Sequence, residues 1–137
     1  MSYGMAAALQ SAVYQHLLAD TQVGGLVGGA IYDAIPPGDL PQTYVSLGPE
    51  EVRDRSDKTN SGATHRFTVS VVTEVTGFGV AKAVAAAITD ALVDADLTLS
   101  RGRLVGLWFE RASARRSGKA GRVRRIDLRF RAGVEDN

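Results

Sequence analysis

The feature that most constrains this chain is the strict two-residue alternation in its last strand-like segment, Val123 to Val134. Ile126, Leu128 and Phe130 fall on one side, and Arg125, Asp127, Arg129 and Arg131 fall on the other. Successive side chains of an extended strand point to opposite faces, so this segment fits a sheet with one face in a core and one in water. Ala63 to Val75 repeats the pattern, with Phe67, Val69 and Val71 on one face and Arg66, Thr68 and Ser70 on the other. Thr43 to Leu47 reads as a third strand, interrupted by Gly48-Pro49 as a bulge before a charged continuation through Val52 and Asp54. Ala30 to Tyr32, Leu97 to Leu99 and Arg103 to Ala114 complete the expected strands, the last holding the single tryptophan, Trp108.

Two segments carry helical spacing instead. Between Tyr3 and Ala19, residues Met5, Leu9, Ala12, Val13 and Leu17 share one face. Between Gly77 and Asp94 the stripe is Val80, Val84, Ala87, Ile88, Ala91 and Leu92, rich in alanine and suited to close packing on a sheet. Thr21 and Gln22 are expected to end the first helix, and Gly24 to Gly29 to punctuate the chain after it. Pro36-Pro37-Gly38 closes the short strand before it. Two polar, turn-rich stretches, Arg53–Gly62 and Arg115–Gly121, read as exposed hairpin tips that are mobile in the free subunit.

Strands joined by short polar loops pair antiparallel. Two amphipathic helices cannot bury their stripes against each other and also cover both faces of a sheet. The expected fold is therefore α+β, an antiparallel β-sheet with two main α-helices packed on one face, as a single domain over residues 1–137.

Composition narrows the function by exclusion. With 45% hydrophobic and 23% charged residues the chain has the balance of an ordinary globular protein. No run of about 18 apolar residues is present, so no membrane span is expected, and the first ten residues lack the pattern of a secretory leader. The absence of cysteine removes disulfides, iron–sulfur clusters and thiolate zinc sites, and fits a cytoplasmic folding compartment. His16 and His65, on a helix and at a strand start, have no partner at metal-ligand spacing and read as satisfied or surface histidines. No serine lies in a nucleophile elbow, and Ser61 and Ser117 belong to turns. The pairs Glu50-Glu51 and Asp94/Asp96 read as solvated carboxylates at element boundaries, without a pocket to shift them. The glycines around Leu26-Val27 lack the Lys-Ser or Lys-Thr that a phosphate loop needs. No catalytic residue, cofactor or metal is expected.

Charge is the informative quantity. Residues 1–100 hold five basic and eleven acidic side chains, whereas residues 101–131 hold eleven basic and two acidic ones, within a net charge of +1. Such a chain can attract copies of itself head to tail or present a basic face to a polyanion. The candidate contact residues are Arg111, Arg115, Arg116, Lys119, Arg122, Arg124 and Arg125, around one hairpin tip. They suit DNA phosphates without sequence readout, or carboxylates of a neighbouring subunit. The first polar loop offers the complementary docking residues Arg53, Asp54, Arg55, Asp57 and Lys58. Base-stacking aromatics and a recognition helix are lacking, which weighs against a dedicated DNA-binding module using residues 101–131.

Several stretches in this order resemble a family of phage tail-completion proteins, formerly described only as a domain of unknown function. They are Ala8 to Tyr14 with Leu17 to Asp20, Ile31 to Pro36, Pro41 to Val45 with Gly48, Thr64 to Val69, and Ala81 to Ala85. The resemblance covers about residues 8–132. It implies a tail terminator of long-tailed phages or gene transfer agents: a virion structural protein whose copies form a homo-hexameric ring on the head-proximal end of the tail tube. Its implied partners are itself, the tail tube protein and the head-to-tail connector or stopper. DNA passes through the ring's lumen without sequence recognition. The resemblance brings no catalytic residues. A neighbouring head-completion or stopper role in the neck is the nearest alternative.

Overall fold

The computed structural model describes residues 3–59 and 61–136. The elements run α1 (Ala6–Ala19), α2 (Thr21–Val27), β1 (Ile31–Tyr32), β2 (Thr43–Asp54), β3 (Gly62–Thr73), α3 (Gly79–Leu92), β4 (Arg103–Ser117) and β5 (Val123–Glu135). The described strands form a five-stranded sheet in the order β1-β2-β3-β5-β4. Every pairing is antiparallel except β1 with β2, where Ile31 and Tyr32 lie parallel to Val45 and Ser46. The α+β expectation holds, with the sheet mixed rather than wholly antiparallel. The parallel pair arises because the chain crosses from β1 to β2 through the Pro36-Pro37-Gly38 loop instead of through a tight hairpin.

Three helices, not two, supply the covering layer. Thr21 and Gln22 do not end a helix. Asp20 breaks α1 and caps α2, its Oδ1 accepting the Val23 N–H at 2.9 Å. Val23 and Val27 then fall four residues apart and are buried, which outweighs the cost of Gly24 and Gly25 inside the turn. Gly28, at φ +60°, ends α2 in the left-handed conformation that glycine adopts without penalty. One continuous core joins Leu9, Val13 and Leu17 of α1 and Val84, Ile88 and Leu92 of α3 to Val69, Val71, Leu128 and Phe130 of the sheet. Val80, placed in the apolar stripe by its spacing, is exposed at the first turn of α3.

Leu97 to Leu99 forms no strand. Both leucines are buried. They pin an irregular segment that runs past Ala8 and Ala12 of α1. Gly102, at φ +67°, lets this segment enter β4, because a Cβ there would meet the Glu135 carbonyl oxygen at 2.4 Å. The Gly48-Pro49 interruption is the expected bulge, with the β2–β3 register shifting between Leu47 and Glu50.

Candidate functional site

The long β4–β5 hairpin carries most of the basic residues and the strongest departure from the sequence reading. Arg115, Arg116 and Ser117 are not loop: β4 continues through Ser117, and the connection is one 3-10 turn at Lys119–Gly121. The alternation that specified β5 also dictates β4 once they pair, since Arg115 sits opposite Arg125 and Arg116 opposite Arg124. The seven candidate residues therefore divide into three groups. Arg111, Arg115 and Arg125 lie on the sheet face that bears no helix, Arg116 and Arg124 on the helix side, and Lys119 and Arg122 in the turn. They form no single patch.

The bare face is built as a lattice of arginines around two carboxylates. Glu110 of β4 stands between Arg66 of β3 at 3.2 Å and Arg129 of β5 at 3.5 Å. Asp127 of β5 accepts hydrogen bonds from the Ser70 hydroxyl at 2.6 Å and from Arg125 Nε at 2.9 Å, with Arg115 3.6 Å away. Burial pushes the Asp127 carboxyl up, but the Ser70 bond and the Arg125 guanidinium outweigh it and hold it below the usual carboxylate range. An open depression of about 360 Å³ lies over this lattice, bordered by Thr68, Ser113 and the Arg111, Arg115 and Arg129 side chains. Farther along the face, Arg131 stacks over the Trp108 ring at 4.7 Å. The indole itself lies above Gly106 and Gly133; a Cβ at Gly106 would press on the ring, whereas one at Gly133 would only touch it. On the helix side, Phe67, Phe130 and Phe109 stand in register on β3, β5 and β4, with ring centroids 5.5 and 5.8 Å apart.

The docking loop is shorter than its sequence range. Arg53 and Asp54 close β2, leaving Arg55, Asp57 and Lys58 in the connection; Asn60 lies outside the described residues. Asp54 accepts the backbone N–H and the hydroxyl of Ser56 at 3.0 and 2.6 Å, which lowers its pKa, and Asp57 caps Thr59 in the same way at 2.9 and 3.1 Å. The loop and the arginine hairpin tip do not meet within one subunit, since β3 and β5 separate β2 from β4.

His65 is the residue that sequence reasoning misjudged. It is fully buried, and neither ring nitrogen has a hydrogen-bond partner among the described residues. Its Nδ1 lies 3.8 Å from Glu50 Oε2, an oxygen pair that Tyr3 also addresses by donating its hydroxyl proton. Burial pushes the imidazole pKa down, and the Glu50 carboxylate only partly restores it. The signal was available: His65 shares the parity of Phe67, Val69 and Val71 on β3. His16, by contrast, is satisfied through the Ala91 carbonyl oxygen at 2.8 Å. No group of three or more His, Asp or Glu side chains among the described residues is arranged to hold a metal. No helix among them is long and apolar enough to cross a membrane.

Guanidinium forks of this kind match carboxylates and phosphates. The chain is similar, at 64% identity and a TM-score of 0.93, to a chain in the solved structure of the virion of a native gene transfer agent particle; the match covers 98% of this chain and 99% of that one. No significant relative is found among curated protein sequences. The family model for tail completion protein gp17 matches residues 11–135, and the chain belongs to that family.

Proposed function

We propose that this protein is a tail terminator: its copies form a ring, hexameric by the resemblance, on the head-proximal end of a finished tail tube. There the ring stops tube growth and offers the surface that joins the head connector. The role is structural, within a phage-like or gene transfer agent particle, and no step of it is catalytic. The observation that carries this reading is the 64% identity, over almost the whole chain, to a component of a gene transfer agent virion.

In a ring each subunit contacts its two neighbours through unlike surfaces. The division of charge along the chain supplies such surfaces, the acidic N-terminal part of one copy facing the basic hairpin of the next. Reversing Arg124 and Arg125 to Glu is expected to abolish ring assembly while leaving a folded subunit; intact rings would refute the pairing. The decisive experiment for the role is electron microscopy of particles from a strain lacking the gene. Overlong or uneven tails, unattached to filled heads, are expected. Normal-length free tails beside heads that leak DNA would place the protein on the head side of the joint, as a stopper.

The bare arginine face favours a second contact, with the phosphates of DNA passing through the ring. Its arginines outnumber the carboxylates beside them, and it reads no bases. Binding of duplex DNA to the isolated protein is then expected to weaken steeply with salt, because each neutralised phosphate releases condensed counterions.

A further inference from the structure

The two edges of the sheet are unlike, and the difference specifies a contact. On the β5 side the sheet ends in β4, a strand of fifteen residues without proline. Beyond its ladder with β5, the described residues give β4 one further backbone bond, from the Asp94 N–H to the Leu107 carbonyl at 3.2 Å. From Trp108 to Arg116 every residue is exposed, including Trp108 at 39% and Phe109 at 41%. An edge this long, with apolar side chains and no bulge or proline over its last six residues, is a template for another strand.

On the other side the sheet ends unevenly. β1 covers only Val45 and Ser46 of β2. Pro49 then removes a donor at the bulge, and Glu50–Asp54 continues as a β2 segment paired on its β3 side alone. This segment reads Glu-Glu-Val-Arg-Asp and is acidic, whereas Trp108–Ser117 carries three arginines against one glutamate.

We propose that the free edge of β4 is completed by the Glu50–Asp54 segment of β2 from a second copy of this chain, joining the two sheets into one. The inference rests on the reading of the protein as a self-assembling tail component and names how its copies meet. Charge selects this pairing over the alternative. Two β4 edges laid together would set Arg111, Arg115 and Arg116 against their own copies, and like charges directly opposite one another on a sheet destabilise it. Glu51 and Asp54 opposite those arginines reverse the sign. Because donor and acceptor edges lie at opposite ends of one sheet, each copy keeps a free edge of each kind. The contact is heterologous and propagates until the rotation closes a ring. Only a short β2 segment lies beyond Pro49, so the ladder is brief, and the flanking charges contribute specificity.

The absence of cysteine from the sequence makes the test direct. Ser113→Cys is combined in turn with Glu51→Cys and Arg53→Cys, which share the bare face. Ala112→Cys is combined with Glu50→Cys and Val52→Cys, on the opposite parity. Each variant is oxidised within assembled particles. A ladder of covalent multimers from one of these pairs, absent from every single variant, is the expected result. Covalent dimers from Ser113→Cys alone would establish β4–β4 pairing and overturn the proposal. Particles that incorporate all the variants yet yield no multimer from any pair would overturn it too, while leaving the terminator reading intact. Loss of that reading shows separately, as particles of the parent strain in which mass spectrometry finds none of the protein. If a cysteine variant fails to fold, charge reversal decides: Arg115→Glu is expected to block ring assembly, and Glu51→Arg combined with it to restore assembly. Failure of every acidic-to-basic partner change at Glu50, Glu51 and Asp54 to rescue would refute the contact.

Discussion

Replacing Phe130 by alanine tests how the arginine hairpin is fastened to the rest of the fold. The ring is fully buried and stands between Phe67 at 5.5 Å and Phe109 at 5.8 Å, each in register with it across a strand pair. Emptying a site of this size costs about 3–5 kcal/mol, the transfer of the lost atoms plus the cavity left behind. Two aromatic contacts on opposite sides place Phe130→Ala toward the upper end, a large share of the roughly 5–15 kcal/mol by which a domain is stable. Phe109 is 41% exposed, so Phe109→Ala forfeits only part of the burial term, about 2 kcal/mol once one tilted ring contact is included. The double variant should show a coupling of about 0.5–1.5 kcal/mol between the two positions. Urea unfolding of the four proteins, with midpoints compared at constant slope, measures all three quantities. Equal costs for the two single variants would refute the reasoning, since they would mean that Phe109 is buried as deeply as Phe130. A cost for Phe130→Ala below about 2 kcal/mol would refute it as well, showing that the site collapses and the row does not hold the hairpin.

Stability should fall on acidification in two steps. Burial keeps His65 neutral in the fold, so below its ordinary value of 6.5 the unfolded chain takes up a proton that the folded chain refuses, and stability drops until the folded imidazole protonates. Asp127 is held below its ordinary 3.8, so its contribution, present above that value, is lost as the pH falls further. His65→Leu should flatten the first step and Asp127→Asn the second in thermal melts across pH; unchanged slopes would contradict the assignments. Asp20→Ala should cost about 1 kcal/mol and speed amide exchange within α2 ahead of α1, because it removes the cap that starts the shorter helix. In NMR relaxation on the free subunit, Arg55–Thr59 and Gly118–Arg122 should be mobile, and they should rigidify when the protein docks on tubes; two loops already rigid in the free protein would oppose that idea.

The parts of the fold that were legible from the sequence are those where one face of an element decides its period. The faces of β3 and β5 follow from Phe67 to Val71 and Ile126 to Phe130, and α1 and α3 follow from their stripes. What was not legible depends on partners remote in the sequence. α2 needs a cap from Asp20 and a pocket for Val23 and Val27, and neither outweighs Gly24-Gly25 until the core exists. Leu97 and Leu99 alternate like a strand but pack beside α1 without joining the sheet ladder. The outer part of β4 reads as a loop from Arg115 onward because its composition is that of a loop. It becomes strand only through the ladder to Val123–Ile126. The same effect hid the site: seven basic residues close in sequence were separated onto two faces and a turn by a pairing that composition does not reveal.

That separation bears on what the hairpin can hold. Across β3, β4 and β5 the bare face presents Arg66, Arg103, Arg111, Arg115, Arg125, Arg129 and Arg131, against Glu110, Asp127 and Glu135. Glu110 and Asp127 are each already shared between two arginines, at distances of 2.9 to 3.6 Å, and Glu135 is paired with Arg103. The internal pairs are partly exposed, and pairs of that kind contribute only about 0–1 kcal/mol, so stability alone does not account for so many guanidinium groups on one surface. The cost of holding them together is like-charge repulsion within a small area, and it is relieved when anionic groups arrive from outside the subunit. Such a surface should lose its contacts as salt rises, because exposed charges are screened beyond about 8–10 Å at physiological ionic strength. The β4 edge offers backbone hydrogen bonds that salt screens far less. A ring held by both kinds of contact is expected to loosen with salt but not to dissociate until the β4 pairing is also blocked. Salt titration of assembled particles measures that difference: full dissociation of the ring by salt alone would show that the arginines carry the whole contact.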